Sequence, residues 1–517
     1  MKKHKKKIFI IIFIEIILII GILLSNTRSL MFMQKSNVEQ TYPDRFNIGE
    51  GIFHEGKTYY ISSDGKSNDG KDKNEPMSLE TANQKTFYTN DKILFKRGDI
   101  FYGYANFEIK VIGNNNCYIG TYGEGDLPII SGAKVIENKD VWEKYVEGIY
   151  RADISNIENF NGYKKNTINS CTIGFLESEN GDIYGNLKKE ISLLENDYDF
   201  CCDGQYIYVK SENNPTDELG KITLATQTEL FRVSNNCEVE NIHFRHTGAH
   251  AIVQKYYNMS NIKLHNLIIE KIGGSYQYGI KDSRTTRYGN AIELWNGAKN
   301  VIIENNIIRD VYDAGITLQG LENSWENIDI RNNIIMSTCY SLEFWASGTS
   351  NGMKQINVES NYFINQGKGW GQKVRPNPMN SAVVVFYDFS NIAVSEINIH
   401  DNKLYNSERI MHIPDTTINR LNNGITIDRN NYYNTEYIYA INDIKLEDIK
   451  KTFNEDYKIE KNGVFQNIDE KEISKINNEE ILKSNNYEEI KVYYENLEKE
   501  FGYEGLLNEL LDTYKEL

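Results

Sequence analysis

The chain has 517 residues, 40% hydrophobic and 25% charged, which is enough for a large core and more than one domain. Its formal charge is −16; residues 1–40 contribute +5, so the remainder carries −21, which disfavours nucleic acid as a partner. The same excess gives no overall attraction to polyanionic glycans, so an anionic substrate would need a local basic patch. Six Cys in a chain of this size do not make a disulfide framework, and no Cys/His spacing resembles a zinc site.

The N-terminus places Lys2, Lys3, Lys5, Lys6 and Lys7 before an apolar run of 17 residues, Ile8 to Leu24, interrupted by Glu15. That length is at the lower edge of a membrane span, and the Lys cluster keeps the N-terminus cytoplasmic. No small-x-small cleavage site follows in Leu24-Ser25-Asn26-Thr27-Arg28. The segment reads as a signal anchor with the bulk of the chain outside the cell; the alternative is a cleaved signal and a secreted protein. Residues 25–55 read as a linker. Folded structure begins at Tyr59-Tyr60-Ile61-Ser62 and continues through Lys92-Ile93-Leu94-Phe95-Lys96 and Tyr118-Ile119-Gly120-Thr121-Tyr122. Residues 135–230 have isolated strands and little periodicity, and read as a β-rich insertion. From Asp443 the chain is rich in Lys and Glu at helical spacing, which predicts a helical tail.

Between Asn241 and Tyr432 one phrase recurs seven times: apolar residues at every second position, then Asn. Examples are Ile262-Lys263-Leu264-His265-Asn266, Val301-Ile302-Ile303-Glu304-Asn305 and Ile328-Asp329-Ile330-Arg331-Asn332. First positions at 242, 262, 301, 328, 356, 397 and 425 give steps of 20, 39, 27, 28, 41 and 28 residues. A short alternating strand repeated at that interval predicts a parallel β-helix, with the two long steps carrying loops near 273–288 and 366–380. Asn at strand ends tolerates left-handed backbone and can stack as a ladder.

A second strand follows each repeat. Its apolar positions (Ile252, Ile292, Ile316, Leu342, Val384, Met411) are expected to point inward. The outward columns are then Val253, Glu293, Thr317, Glu343, Val385, His412 and Lys255, Trp295, Gln319, Trp345, Tyr387, Pro414. On such a face Glu293 and Glu343 are two layers, or about 9–10 Å, apart. That spacing suits an acid and a base of inverting glycoside hydrolysis better than a retaining pair. Asp313, in the turn before Thr317, is the alternate acid or a turn cap. His412 would contact sugar or act as a base. His246 and His250 flank Gly248 and read first as turn residues, with a base role the alternative. Trp295, Trp345 and Tyr387, with Trp370 in the inserted loop, suit the apolar faces of sugars, or else are covered as local core. Lys255, Arg287 and Arg375, with Gln319, complete the candidate binding set; Lys281, Arg284 and Lys373 lie near them.

The segments Ile93-Leu94-Phe95-Lys96-Arg97-Gly98-Asp99 and Tyr122-Gly123-x-Gly125-x-x-Pro128-Ile129-Ile130-Ser131-Gly132, with the Asn-ended repeats, resemble the pectate-lyase-like right-handed parallel β-helix superfamily. Arg287-Tyr288-Gly289-Asn290-Ala291-Ile292-Glu293 and Tyr312-Asp313-Ala314-Gly315-Ile316 are similar to its exported bacterial members. The resemblance covers about 57–435 and implies an all-β fold acting on, or binding, polysaccharide. The Asp cluster with a strand Arg or Lys that marks the lyases is not evident, nor is the close Asp trio of the polygalacturonase branch. The expected organisation is therefore a cytoplasmic basic segment (1–7), a transmembrane signal anchor (8–24) and a linker (25–55). An N-terminal β-helix section (56–134), a β-rich insertion (135–230), a right-handed β-helix core (231–435) and a charged helical C-terminal region (436–517) follow. Three functions remain open: an acid/base glycoside hydrolase needing no cofactor, a uronic-acid lyase that would bring in Ca²⁺, and a non-catalytic glycan-binding surface protein. The partners in each case are a cell-envelope or extracellular glycan and the membrane.

Overall fold

The computed structural model describes residues 54–154, 173–277, 286–375 and 381–434 except 388 and 390, with shorter pieces between 439 and 467. The predicted anchor (8–24), the linker to residue 53 and the tail beyond 467 lie outside the described residues. No helix among the described residues is long and apolar enough to cross a membrane.

The chain is mostly β and its two large sheets are built almost wholly of parallel strands. One sheet has ten, in the order Thr58–Ile61, Lys92–Lys96, Cys117–Tyr122, Cys237–Glu240, Met259–His265, Ala298–Glu304, Ser324–Arg331, Gly352–Glu359, Val394–His400 and Ile425–Asp428. The other has seventeen and forms two rows, joined where the long strands Ile307–Gly320 and Ile334–Ala346 run through both. One row passes through His243–Thr247, Ile268–Ile272, Tyr362–Ile364 and Lys403–Tyr405. The other passes through Phe231–Val233, Ile252–Gln254, Ile292–Trp295, Ala382–Phe386 and Arg409–His412. Each passage of the chain thus lays one strand in each of three rows. Alternate residues turn inward to a shared core that includes Ile262, Leu264, Val301, Ile303, Ile328, Ile330, Ile292, Leu294, Leu342 and Phe344.

The register corrects one step of the repeat. Ile262, Val301, Ile328, Ile356, Ile397 and Ile425 are direct partners in sequence. Ile262 is preceded by Cys237, not Ile242. The step is therefore 25 residues, and Ile242-His243-Phe244 opens the next row. Asn241 shares the repeat's pattern because it is a corner residue after a strand, with φ +59° in the same left-handed region as Asn266, Asn305 and Asn332.

Two successive residues at these corners, Asn305-Asn306, Asn332-Asn333, Ser360-Asn361, Asp401-Asn402 and Arg429-Asn430, have two jobs. The first takes the left-handed backbone. The second is buried and stacks: Asn306, Asn333, Asn361, Asn402 and Asn430 each donate Nδ2 to the next residue's side-chain oxygen. The last acceptor is the buried Glu460. On the outward face of the ten-stranded sheet, Glu240, His265, Glu304, Arg331, Glu359, His400 and Asp428 are successive partners, acidic and basic in turn.

Residues between Ala133 and Thr226 form two antiparallel four-stranded sheets over a core of their own, with Trp142, Leu176, Phe200, Ile207 and Leu224. At the C-terminal end the layers continue past residue 435, because Val464–Asn467 pairs in parallel with Asn431–Asn434. That stretch was expected to be helical; its Val464-Phe465-Gln466-Asn467 alternation places Phe465 on the stacked ring of Tyr432.

Candidate active site

The row through Ile292–Trp295 carries the predicted columns in register. Val253, Glu293, Thr317, Glu343, Val385 and His412 are consecutive partners. Trp295, Gln319 and Trp345 are partners beside them, and the Tyr387 ring lies 6.3 Å from Trp345. The Trp295 and Trp345 rings are 5.7 Å apart and partly exposed, so they form one continuous aromatic wall. The carboxylate column is not an open exposed strip, as alternation alone implies. Glu293 and Glu343 are each only 8% exposed, because the segments on either side of the strands fold over them.

That enclosure sets the electrostatics. Burial, then the charge of Asp313, push the Glu343 carboxyl up to about 8, with Glu293 adding to the rise. The hydroxyls of Thr317 and Tyr387 lie beside it and favour its anion, but do not offset those effects. Burial, then Glu343, raise the Tyr387 phenol in return. Asp313 Oδ1 accepts from Arg375 Nη2 at 3.0 Å, while Oδ2 receives no hydrogen bond from the described residues. Glu293 has both oxygens engaged: Gln319 Nε2 donates to Oε1 and His250 Nε2 lies against Oε2, each at 2.7 Å. Burial lowers the His250 imidazole, and Glu293 more than restores it. The Asn290 amide donates to His250 Nδ1 at 3.0 Å, which needs a lone pair there. The geometry therefore assigns the neutral tautomer with its proton on Nε2, donated to Glu293.

One segment holds both halves of the site. Gly289 O accepts from Asp313 N–H, and Asn290 Oδ1 accepts from Ala314 N–H. Gly289 has φ +141°, and a Cβ there would lie 2.1 Å from Gly273 Cα, so only glycine allows this approach.

Several residues of the candidate binding set make contacts within the protein. Arg287 is buried and donates to the carbonyls of Gly274, Val374 and Gly174, because the inserted loops wrap it. Arg287 and Arg375 stack on the Tyr312 ring, 4.7 and 4.5 Å from its centroid. Trp370 opens the short helix Trp370–Lys373, packs on Phe175 and Tyr312, and donates Nε1 to Asp310 O. Lys255 is drawn to the first layers, where Nζ meets Phe107 O and Glu108. His412 ends the column two layers from Glu343. Sequence reading gave His250 a turn role first and a base role as the alternative, not a partner for Glu293, and did not single out Asn290. The only signal was that Asn290 lies in the Arg287–Glu293 stretch. Among the described residues no group of three or more His, Cys, Asp or Glu is arranged to hold a metal ion.

No family model matches the chain, and no curated protein matches it in sequence. Among solved structures it is similar to XylC in complex with xylose, at 13% identity and TM-score 0.49, over 74% of this chain and 66% of that one. It is also similar to a GH136 lacto-N-biosidase from Eubacterium ramulus, at 11% identity and TM-score 0.32, over 80% of this chain and 67% of that one. A structure described as a glycoside hydrolase matches at 10% identity and TM-score 0.40, over 74% of this chain and 94% of that one. The chain therefore spans just under two thirds of the length of XylC.

Proposed function

We propose that this chain is a right-handed parallel β-helix of the pectate-lyase-like superfamily that hydrolyses a glycan, with Glu343 as general acid and Asp313 as its partner carboxylate. The observation that carries the reading is a buried carboxyl, raised by burial and by the charge of Asp313, beside a carboxylate paired with Arg375. Glu343 keeps its proton at neutral pH, while Asp313 is held through Oδ1 by Arg375 and its Oδ2 receives no hydrogen bond from the described residues. Glycosidic cleavage needs two carboxyls in different roles: one protonates the leaving oxygen, the other attacks or activates water. Trp295, Trp345 and Tyr387 would take the apolar faces of sugar rings along the stacking direction of the strands.

The uronic-acid lyase has no comparable support, because Lys255, Arg287 and Arg375 are each engaged by protein acceptors. We also propose that residues 8–24 anchor the enzyme, or guide its secretion, with the β-structure outside the cell and an envelope or extracellular glycan as its partner.

The test is digestion of a panel of neutral and uronic-acid polysaccharides, followed by reducing-end assay and by ultraviolet absorbance of unsaturated uronides. The reading expects new reducing ends without absorbance, and a loss of 10²–10⁴-fold or more in Glu343→Gln and Asp313→Asn. Absorbing products, or full activity in Glu343→Gln, refute it; silence across the panel favours a glycan-binding protein. The anomer first released, read by NMR, assigns Asp313 as nucleophile on retention or as base on inversion.

A further inference from the structure

With Glu343 and Asp313 assigned, Glu293 is left without a chemical step, yet it is the most carefully held carboxylate of the three. Its two oxygens each take one fixed neutral donor, Gln319 Nε2 and His250 Nε2, both at 2.7 Å. His250 is fixed in turn: Asn290 N–H occupies Nδ1, and Tyr288 packs on the ring at 4.9 Å between centroids. Tyr288 is itself held by Gln227 Nε2 at 2.9 Å. Each oxygen of a carboxylate has two acceptor positions, so among the described residues one on each oxygen of Glu293 remains. Among the same residues Gln319 keeps its amide oxygen and a second N–H. Together they present adjacent acceptors in the row that carries Glu343, at the foot of the Trp295–Trp345 wall. Neighbouring hydroxyls of a sugar ring match such a pair.

The surrounding charge has the same bias. Glu293, Asp313, Glu343 and Glu229 all face this region, and the last adds to the charge felt by His250. Arg375 is spent on Asp313 and the Tyr312 carbonyl. A sugar carboxylate would enter among these acids, where Arg375 is already paired, and like charges in a largely buried site repel.

We propose that Glu293, pinned between His250 and Gln319, is a specificity-determining residue that binds adjacent hydroxyls of an uncharged sugar and turns away uronic acids. The proposal rests on the hydrolase reading above. His250 is then a positioning residue that acts only through Glu293.

The experiment uses paired 4-nitrophenyl glycosides that differ only in charge at C6: glucoside with glucuronide and galactoside with galacturonide, in both anomers. The wild type should prefer the neutral member by at least 100-fold in kcat/KM. Glu293→Gln should raise KM at least tenfold, change kcat less than tenfold, and shrink the neutral-to-uronic preference. His250→Ala should shift KM in the same sense, and His250→Gln, which can again donate to Glu293, should recover most of it. Equal or faster cleavage of the uronides overturns the proposal. So does a 1,000-fold fall in kcat at unchanged KM in Glu293→Gln, which would make Glu293 catalytic. If the wild type cleaves none of the glycosides, the hydrolase reading fails separately, and the selectivity is read by calorimetry with cellotetraose and tetragalacturonic acid. A preference for cellotetraose that disappears in Glu293→Gln sustains it, and equal binding of the two overturns it.

Discussion

Glu343→Gln should remove a large part of the protein's sensitivity to alkali. The carboxyl moves from an ordinary 4.5 in the unfolded chain to about 8 when buried beside Asp313. Below pH 4.5 both states carry the proton, and the site contributes its full stability. As pH rises from there to about 8 the unfolded chain ionises first, so stability drains away; above 8 the loss is complete. A shift of about 3.5 units at 1.36 kcal/mol each sets a ceiling of roughly 5 kcal/mol, and sharing of the charge with Asp313 brings the expected effect to roughly 2–4 kcal/mol. Gln has no proton to lose. Guanidinium unfolding of wild type and variant at pH 5 and pH 9 measures the difference directly. The wild type should lose that much more stability than Glu343→Gln over the interval, and parallel losses would refute the assignment. In the wild type, kcat/KM should fall with a basic limb near pH 8; a basic limb near pH 5 would show that Glu343 is not the proton donor.

Three further outcomes are expected. Asn361→Ala deletes the middle of the buried Asn ladder and strands donors and acceptors on Asn333, Asn402 and Ile330; the cost in chemical denaturation should be about 2–4 kcal/mol, with activity retained by the folded fraction. Gly289→Ala forces a Cβ into Gly273 Cα; the thermal midpoint should fall by several degrees, and kcat at least tenfold even well below that midpoint, because the same backbone holds Asp313 and His250. Arg375→Met leaves Asp313 without its ion-pair partner; a stability loss of about 3–5 kcal/mol in chemical denaturation is expected, together with a fall in kcat.

Much of this was legible before any coordinates, for a physical reason. A period of two is rigid: once Ile292 and Leu342 point inward, Glu293 and Glu343 must point outward and share a column with Thr317. The interval between repeats fixes which strands are neighbours. The 25-residue step was missed because Cys237-Glu238-Val239-Glu240 has no Ile and its closing Asn241 is single, so the Asn phrase seemed to begin one strand late. The site was legible only in part. Periodicity gives the direction of a side chain on a strand, not what loops do above it. Whether Arg287 and Arg375 reach substrate or clamp Tyr312 depends on how two inserted segments fold, and nothing periodic encodes that. His250 had the same difficulty: its partner Glu293 is 43 residues away, and its tautomer is set by a backbone amide rather than by a side chain.

The alternating acids and bases down the ten-stranded sheet have a consequence for how such a chain can lengthen. Each residue between the two ends, Glu240 and Asp428, has partners of the opposite type, acidic or basic, on both sides. Omitting the Arg331 strand would set Glu304 against Glu359, and duplicating the Arg331 strand or an acidic one would set like against like, at a penalty of about 0.2–1 kcal/mol for each contact. Adding or removing two strands at once keeps the signs in order. The column thus acts as a parity check: it tolerates growth by pairs of repeats, and it disfavours both a skipped layer during folding and a single-repeat duplication in the gene.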